Sequence, residues 1–221
     1  MTDGPILAID TSGATASVAL YADQVLAEST WQSGRRHSAE LLPAIEELLT
    51  RARVEKREVS AIAVAAGPGS YSGLRVGVST AMAMALALDV QIARVPTLDV
   101  IAWAHAGARR TIRAAIDVGR GHYATARFRP PDIPLAHETR IESVGLGELF
   151  ELAAVERSLL AVDLDPQSRE TVERQYGARV ELASPAASAR RAGFLAELAA
   201  IKIRRGELVG DLAVEPIYLH S

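Results

Sequence analysis

Ile6-Leu7-Ala8-Ile9-Asp10-Thr11-Ser12-Gly13-Ala14-Thr15-Ala16-Ser17-Val18-Ala19-Leu20-Tyr21 is the stretch on which the fold turns. Ile6–Asp10 and Ala16–Tyr21 are short apolar runs rich in strand formers. Thr11-Ser12-Gly13-Ala14 between them has turn chemistry, so the chain opens as a β-hairpin. Gln24–Trp31 reads as a third strand behind the Ala22-Asp23 turn. An antiparallel meander before any helix argues against a Rossmann domain, which starts strand–helix–strand.

Outward from the meander, Ser38 is a plausible N-cap for a helix to about Val54, with Leu41, Leu42, Ile45, Leu48, Leu49 and Ala52 at helical spacing. Glu47 and Arg51 form an i,i+4 pair on its polar face, and Pro43 falls near the first turn, where its missing N–H does least harm. Val59–Ala66 is a fourth strand, apolar throughout and so buried on both faces, and it runs into Gly67-Pro68-Gly69-Ser70-Tyr71-Ser72-Gly73-Leu74-Arg75. A helix to about Leu88, a strand Gln91–Val95 and a helix Thr97–Ala104 complete the pattern βββαβαβα. It then restarts with a hairpin, Arg113–Val118 and His122–Phe128, followed by a helix Leu146–Glu156 and a buried strand Leu159–Val162. Pro185–Arg205, opened by Ser184-Pro185 and stopped by Gly206, reads as one long helix. We expect two lobes, 1–105 and 106–221, the second with fewer or shorter helices; which lobe the helix 185–205 packs on stays open.

Composition narrows the function. At 221 residues the chain has room for two lobes of about 100 residues each. Apolar types at 49% against charged types at 23% exclude a natively unfolded chain. A net charge of −3, shared evenly between the halves, gives no whole-chain attraction to nucleic acid or membrane. Without cysteine there is no disulfide, thiol nucleophile or cysteine-based metal site. Met1-Thr2-Asp3-Gly4-Pro5 lacks a basic region, and the charge-free run Val76–Leu88 is shorter than the ~20 residues of a bilayer span, so a cytoplasmic protein with no membrane contact is expected.

Two segments carry candidate chemistry. Gly67, Gly69 and Gly73, between a buried strand and a helix, let backbone approach an anion at a helix N-terminus. They serve a tight turn with close helix packing equally well. Asp10, Thr11 and Ser12 at the first turn suit phosphate oxygens or hydrated Mg²⁺, or a plain Asx turn. With Ser70 and Arg75 these are the candidate nucleotide or phosphate contacts. The five histidines have no HxxxH or HExxH spacing, so no metal site is expected, and no GxSxG surrounds Ser70 or Ser72. Residues 109–129 hold six arginines, Arg109, Arg110, Arg113, Arg120, Arg127 and Arg129, against the single acid Asp117. That excess suits an RNA-phosphate or protein contact, or a solvated strand face.

Three ordered motifs, Ile6-Leu7-Ala8-Ile9-Asp10-Thr11-Ser12, Arg36-His37-Ser38-Ala39-Glu40-Leu41-Leu42-Pro43 and Gly67–Gly77, on a meander-first topology resemble the TsaB (YeaZ) family over residues 6–105. Asp117 with Arg120 is similar to the family's Asp-Ala-Arg motif but is interrupted by Val118 and Gly119. Pro216-Ile217-Tyr218-Leu219 resembles its Pro-x-Tyr-Leu-Arg close, with His220 in place of Arg. The resemblance implies an α/β, two-lobed fold of the actin/Hsp70/sugar-kinase class (ribonuclease H-like), its second lobe degenerate. It also implies a role in making N6-threonylcarbamoyladenosine at tRNA position 37, as a noncatalytic partner of a TsaD-like catalytic subunit. A TsaE-like ATPase would join them, ATP or ADP would be bound in the complex and not by a cofactor site of this chain's own, tRNA would be met through the complex, and the isolated chain would be a homodimer. The family's interface is helical. Here Leu41, Leu42, Ile45 and Leu48 span an arc too broad for one sheet to bury, while Gly73, Gly77 and Ala81 leave a shallow groove beside the adaptable Met82. Two other classes compete: an autonomous ATP-dependent small-molecule kinase of the same fold, with Asp117 its one tempting catalytic carboxylate, and a stand-alone tRNA-binding module resting on the arginine cluster.

Overall fold

Residues 4–34, 36–130 and 140–207 are described in a computed structural model. The first three strands are the expected meander: β1 Ile6–Asp10, β2 Thr15–Tyr21 and β3 Val25–Gln32. Then come α1 His37–Ala52, a 3-10 turn Lys56–Glu58, β4 Ala61–Ala65, α2 Tyr71–Leu88, β5 Gln91–Val95 and α3 Thr97–Trp103. Order in the first sheet is β3-β2-β1-β4-β5, with β1 antiparallel to β2 and parallel to β4.

That plan recurs. β6 Ile112–Gly119, β7 His122–Phe128, β8 Glu142–Gly145, α4 Leu146–Glu156, β9 Leu159–Ala161, α5 Pro166–Tyr176 and β10 Glu181–Leu182 build a second sheet, β10-β9-β6-β7-β8, with the same parallel and antiparallel pairings. Its helices are shorter, 11 residues each for α4 and α5 against 16 and 18 for α1 and α2.

Alternation along β1 assigns the layers. Leu7 and Ile9 join Leu41, Ile45 and Leu48 of α1 and Val78 and Ala81 of α2 in one core. Ile6, Ala8 and Asp10 turn to the other face, which α7 Ala192–Arg204 covers with Leu195, Ala196, Leu198 and Ala199. In the second sheet α4 and α5 pack on one face through Leu149, Phe150 and Val172, and α3 on the other through Leu98 and Ala102. Residues 4–97 with 190–207 form one compact unit and 98–189 the other, so each sheet's far face is covered by a helix that comes after the other sheet's strands in the chain.

Three expected elements differ. The long helix 185–205 is two, a short α6 Pro185–Ser188 with Ser184 as its cap and α7, separated by extended residues 189–191. The first helix starts at His37 with Arg36 and not Ser38 before it, which moves Pro43 into the second turn. The units divide after Thr97, ahead of the expected boundary at 105, because α3 packs on the second sheet. Pro216, Ile217, Tyr218, Leu219 and His220 lie outside the described residues, as does 131–139. α2 is the one helix among the described residues long and apolar enough to cross a bilayer by composition, and it packs on α1, β1, β4 and β5.

Candidate functional site

Strand β1 ends on Asp10, and its parallel neighbour β4 leads through Gly67–Ser70 into α2, which brings the two candidate segments side by side. Their contacts are with each other. Ser70 N donates to Ser12 O at 2.7 Å, Thr11 Oγ1 donates to Gly73 O at 2.7 Å, and Ser70 Oγ caps α2 by accepting from Gly73 N at 3.4 Å. Gly67 N is taken by Thr97 Oγ1 at 3.1 Å.

The glycines serve this packing. A Cβ on Gly69 would stand 2.3 Å from Ser12 O, one on Gly73 2.0 Å from Thr11 O, and one on Gly77 2.2 Å from Thr11 Oγ1. Gly69 in the turn before α2 and Gly73 and Gly77 on the helix thus form a flat seam that accepts the β1–β2 turn. The side of each glycine that a Cβ would occupy is taken by Thr11 or Ser12 of the same chain.

Asp10 is fully buried and its carboxylate is occupied. Oδ1 accepts from Ser12 N at 3.0 Å and Ser12 Oγ at 2.6 Å, and Oδ2 accepts from Arg190 Nε at 3.1 Å and Nη2 at 2.5 Å. Arg190 sits in the break between α6 and α7, its own carbonyl held by Thr30 Oγ1 at 3.1 Å. Beyond it, Ala192 N donates to Ser17 Oγ and Gly193 N to Glu28 Oε1 at 2.7 Å, so strands β2 and β3 supply the cap of α7. The pairing of Asp10 with Arg190 is this region's largest departure from the sequence reading. Its sole trace there is the Arg190-Arg191 pair inside an otherwise helical pattern.

His37, the first residue of α1, is buried with neither ring nitrogen hydrogen-bonded, its Nε2 directed at the Gly73 turn. Burial holds its pKa below the usual histidine value, against the opposing pull of Glu40 and Asp10. Arg75 is outside the cluster, donating to Tyr71 Oη at 2.8 Å with its guanidinium over that ring.

The proposed helical surface divides. Leu41, Ile45 and Leu48 are 1%, 1% and 3% exposed, and Gly73, Gly77 and Ala81 are buried too, so these six belong to the core, contrary to expectation. The sheet and α2 together cover a wider arc of α1 than the sheet alone. Leu42, 53% exposed, and the half-buried Met82 remain at the surface.

In the second unit Asp117 is exposed at the β6–β7 turn, where its Oδ1 accepts from Gly119 N at 2.6 Å. Counted from the residue paired with the start of the next parallel strand, the counterpart of Asp10 is Ile116. Burial raises the Tyr123 pKa, helped by Asp117, Asp165 and Asp163.

The family model of TsaD, tRNA N6-adenosine threonylcarbamoyltransferase, matches residues 24–133. Among curated proteins, the chain is similar to "tRNA threonylcarbamoyladenosine biosynthesis protein TsaB" of Bacillus subtilis (31% identity over 148 residues, 66% of this chain and 65% of that protein). It is similar also to the protein of the same description from Escherichia coli (30% over 142 residues, 63% and 61%). The matched stretches thus span under two thirds of each relative's length. Among solved structures, YeaZ from Pseudomonas aeruginosa is 26% identical with a TM-score of 0.72, covering 98% of this chain and 100% of that one. The two mixed sheets with their helices are the α/β fold of the actin/Hsp70/sugar-kinase class. Identity of 31% and 30% with these curated proteins, and backbone likeness to YeaZ over 98% of the chain, place it in the TsaB (YeaZ) family.

Proposed function

We propose that the chain takes part in forming N6-threonylcarbamoyladenosine in tRNA as a noncatalytic partner of a TsaD-like subunit. The observation that carries the noncatalytic half is the occupied Asp10 carboxylate. A carboxylate that holds Mg²⁺ needs free oxygen lone pairs, and both Asp10 oxygens already accept two hydrogen bonds each within the protein. The packing of the glycine turn on Thr11 and Ser12 supports the same reading, and the relatives' descriptions support the pathway. In this proposal ATP or ADP is bound by the complex, a TsaE-like ATPase acts alongside, and tRNA is met through the assembly, in the cytoplasm. The docking surface is the exposed side of α1 and α2 around Leu42, Met82 and Leu86, which pairs with a second copy when the chain is alone.

Reconstitution tests this. With the TsaD-like and TsaE-like proteins of the same cell and a threonylcarbamoyl-adenylate supply, nucleoside analysis of tRNA should show the modification only when this chain is added. Equal modification without it overturns the proposal. Leu42→Glu should weaken co-purification with the TsaD-like protein at unchanged thermal stability, whereas undiminished pull-down would move the interface elsewhere.

A further inference from the structure

Of the six arginines between residues 109 and 129, the structure withdraws two. Arg113 is buried between Glu156 and Glu142, and Arg120 sits in the β6–β7 turn at the far end of the sheet. It adds two others from later in the chain. Register pairs Ile112 with Phe128 on one side and with Leu159 on the other, and Leu159 with Glu181. Residues just outside that row share one edge: Arg129 after β7, Arg109 and Arg110 before β6, Arg157 before β9 and Arg179 before β10. With Arg127 one place inside the row, all six are exposed.

The acids at this edge are largely spoken for. Glu142 and Glu156 are engaged by Arg113, and Glu181 by Arg110 at 3.1 Å. Arg109, Arg129, Arg157 and Arg179 form no ion pair among the described residues. Asp117, Asp163 and Asp165 stand at or beyond the other ends of β6 and β9, so charge is separated along the strands of a protein whose net charge is −3.

We propose that this arginine edge binds the phosphate backbone of tRNA. Neighbouring strands lie about 4.8 Å apart, which sets the arginines in a row of regular step. A nucleic-acid strand, with one phosphate per nucleotide along a regular backbone, suits such a row, an acidic protein surface has no such period, and guanidinium takes phosphate oxygens bidentately. The inference rests on the reading that the chain serves tRNA modification.

The test is fluorescence anisotropy of a labelled full-length tRNA transcript with the full chain, titrated between about 50 and 200 mM salt. The triple variant Arg129→Gln, Arg157→Gln, Arg179→Gln should bind at least about tenfold more weakly at the low end and lose about 2–3 from the slope of log K against log salt. Arg120→Gln, at the opposite end, should match the unaltered chain. Undiminished binding by the triple variant, or no binding by the unaltered chain, overturns the inference. So does displacement of tRNA by polyglutamate as readily as by unlabelled tRNA, which would mark the edge as a protein contact. Modification measured in the reconstituted system separates the two readings: modification that needs the chain while the triple variant still binds tRNA fails this inference alone. Modification that does not need the chain fails the proposed function whatever the edge binds.

Discussion

Leu7 lies fully buried beneath α1 and α2, and the residue in the same register place of the second sheet is Arg113, buried between Glu142 and Glu156. Strand order and direction are the same around both. The plan therefore survives exchange of an apolar core residue for a paired charge, because pairing register and the alternation of faces define it, not any one side chain. The crossover turns differ more. In the first unit α2 presses on the β1–β2 turn along the seam of Gly69, Gly73 and Gly77. In the second, α5 starts from Asp165, whose carboxylate accepts from Gln167 N and Ser168 N at 3.0 Å each, with Pro166 in its first turn and no glycine seam. One turn is closed by tertiary contact and the other by its own cap.

The largest expected effect tests the buried ion pairs against each other. Removing Arg190 leaves Asp10 charged and fully enclosed, so Arg190→Ala should cost about 3–5 kcal/mol in urea unfolding. Arg113→Ala should cost less, since the Glu142 side chain is 36% exposed and can rehydrate. Equal costs would break the contrast. Next comes the seam: Gly73→Ala should destabilise by about 1–3 kcal/mol through its clash with Thr11 O.

A smaller effect is pH-linked, with one histidine in each unit. Burial lowers the pKa of His37 and of His105 in the folded chain. The unfolded chain takes up those protons near pH 6.5, so stability is lost as pH falls below that value toward the depressed folded values. Melting curves from pH 7.5 to 5.5 should flatten in His37→Leu; an unchanged slope would remove His37 from the account. Smallest of all, Gly147→Ala in α4, where nothing lies within 4 Å of the new Cβ, should change stability by about 0.5–1 kcal/mol, in the stabilising direction.

Much of this architecture was legible from residue pattern. Alternation and turn residues located the meander, and helical spacing located α1, α2 and α4, because these signals are local. The site was less legible. Gly67–Arg75 stood out, but whether its glycines cradle an anion or admit Thr11 and Ser12 depends on how closely two distant segments approach. Arg190 was hidden in a helical pattern, and what breaks that pattern is a carboxylate 180 residues away. Leu41, Ile45 and Leu48 were misassigned because the width of a helix's buried face depends on how many elements flank it. Arg157 and Arg179 joined the arginine edge through strand register, which spacing along the chain does not reveal.

The exchange of covering helices has a consequence for synthesis. Residues 4–97 leave the ribosome with the Ile6 and Ala8 face of their sheet unroofed, and α7, ending at Arg204, is made only after the whole second unit. At about 5–20 residues per second, the delay between β5 and α7 is about 5–20 s, during which the nascent sheet is an apolar surface open to chaperones. The second unit, whose roof α3 precedes its strands, meets no such wait, so the half of the molecule begun first is the half completed last.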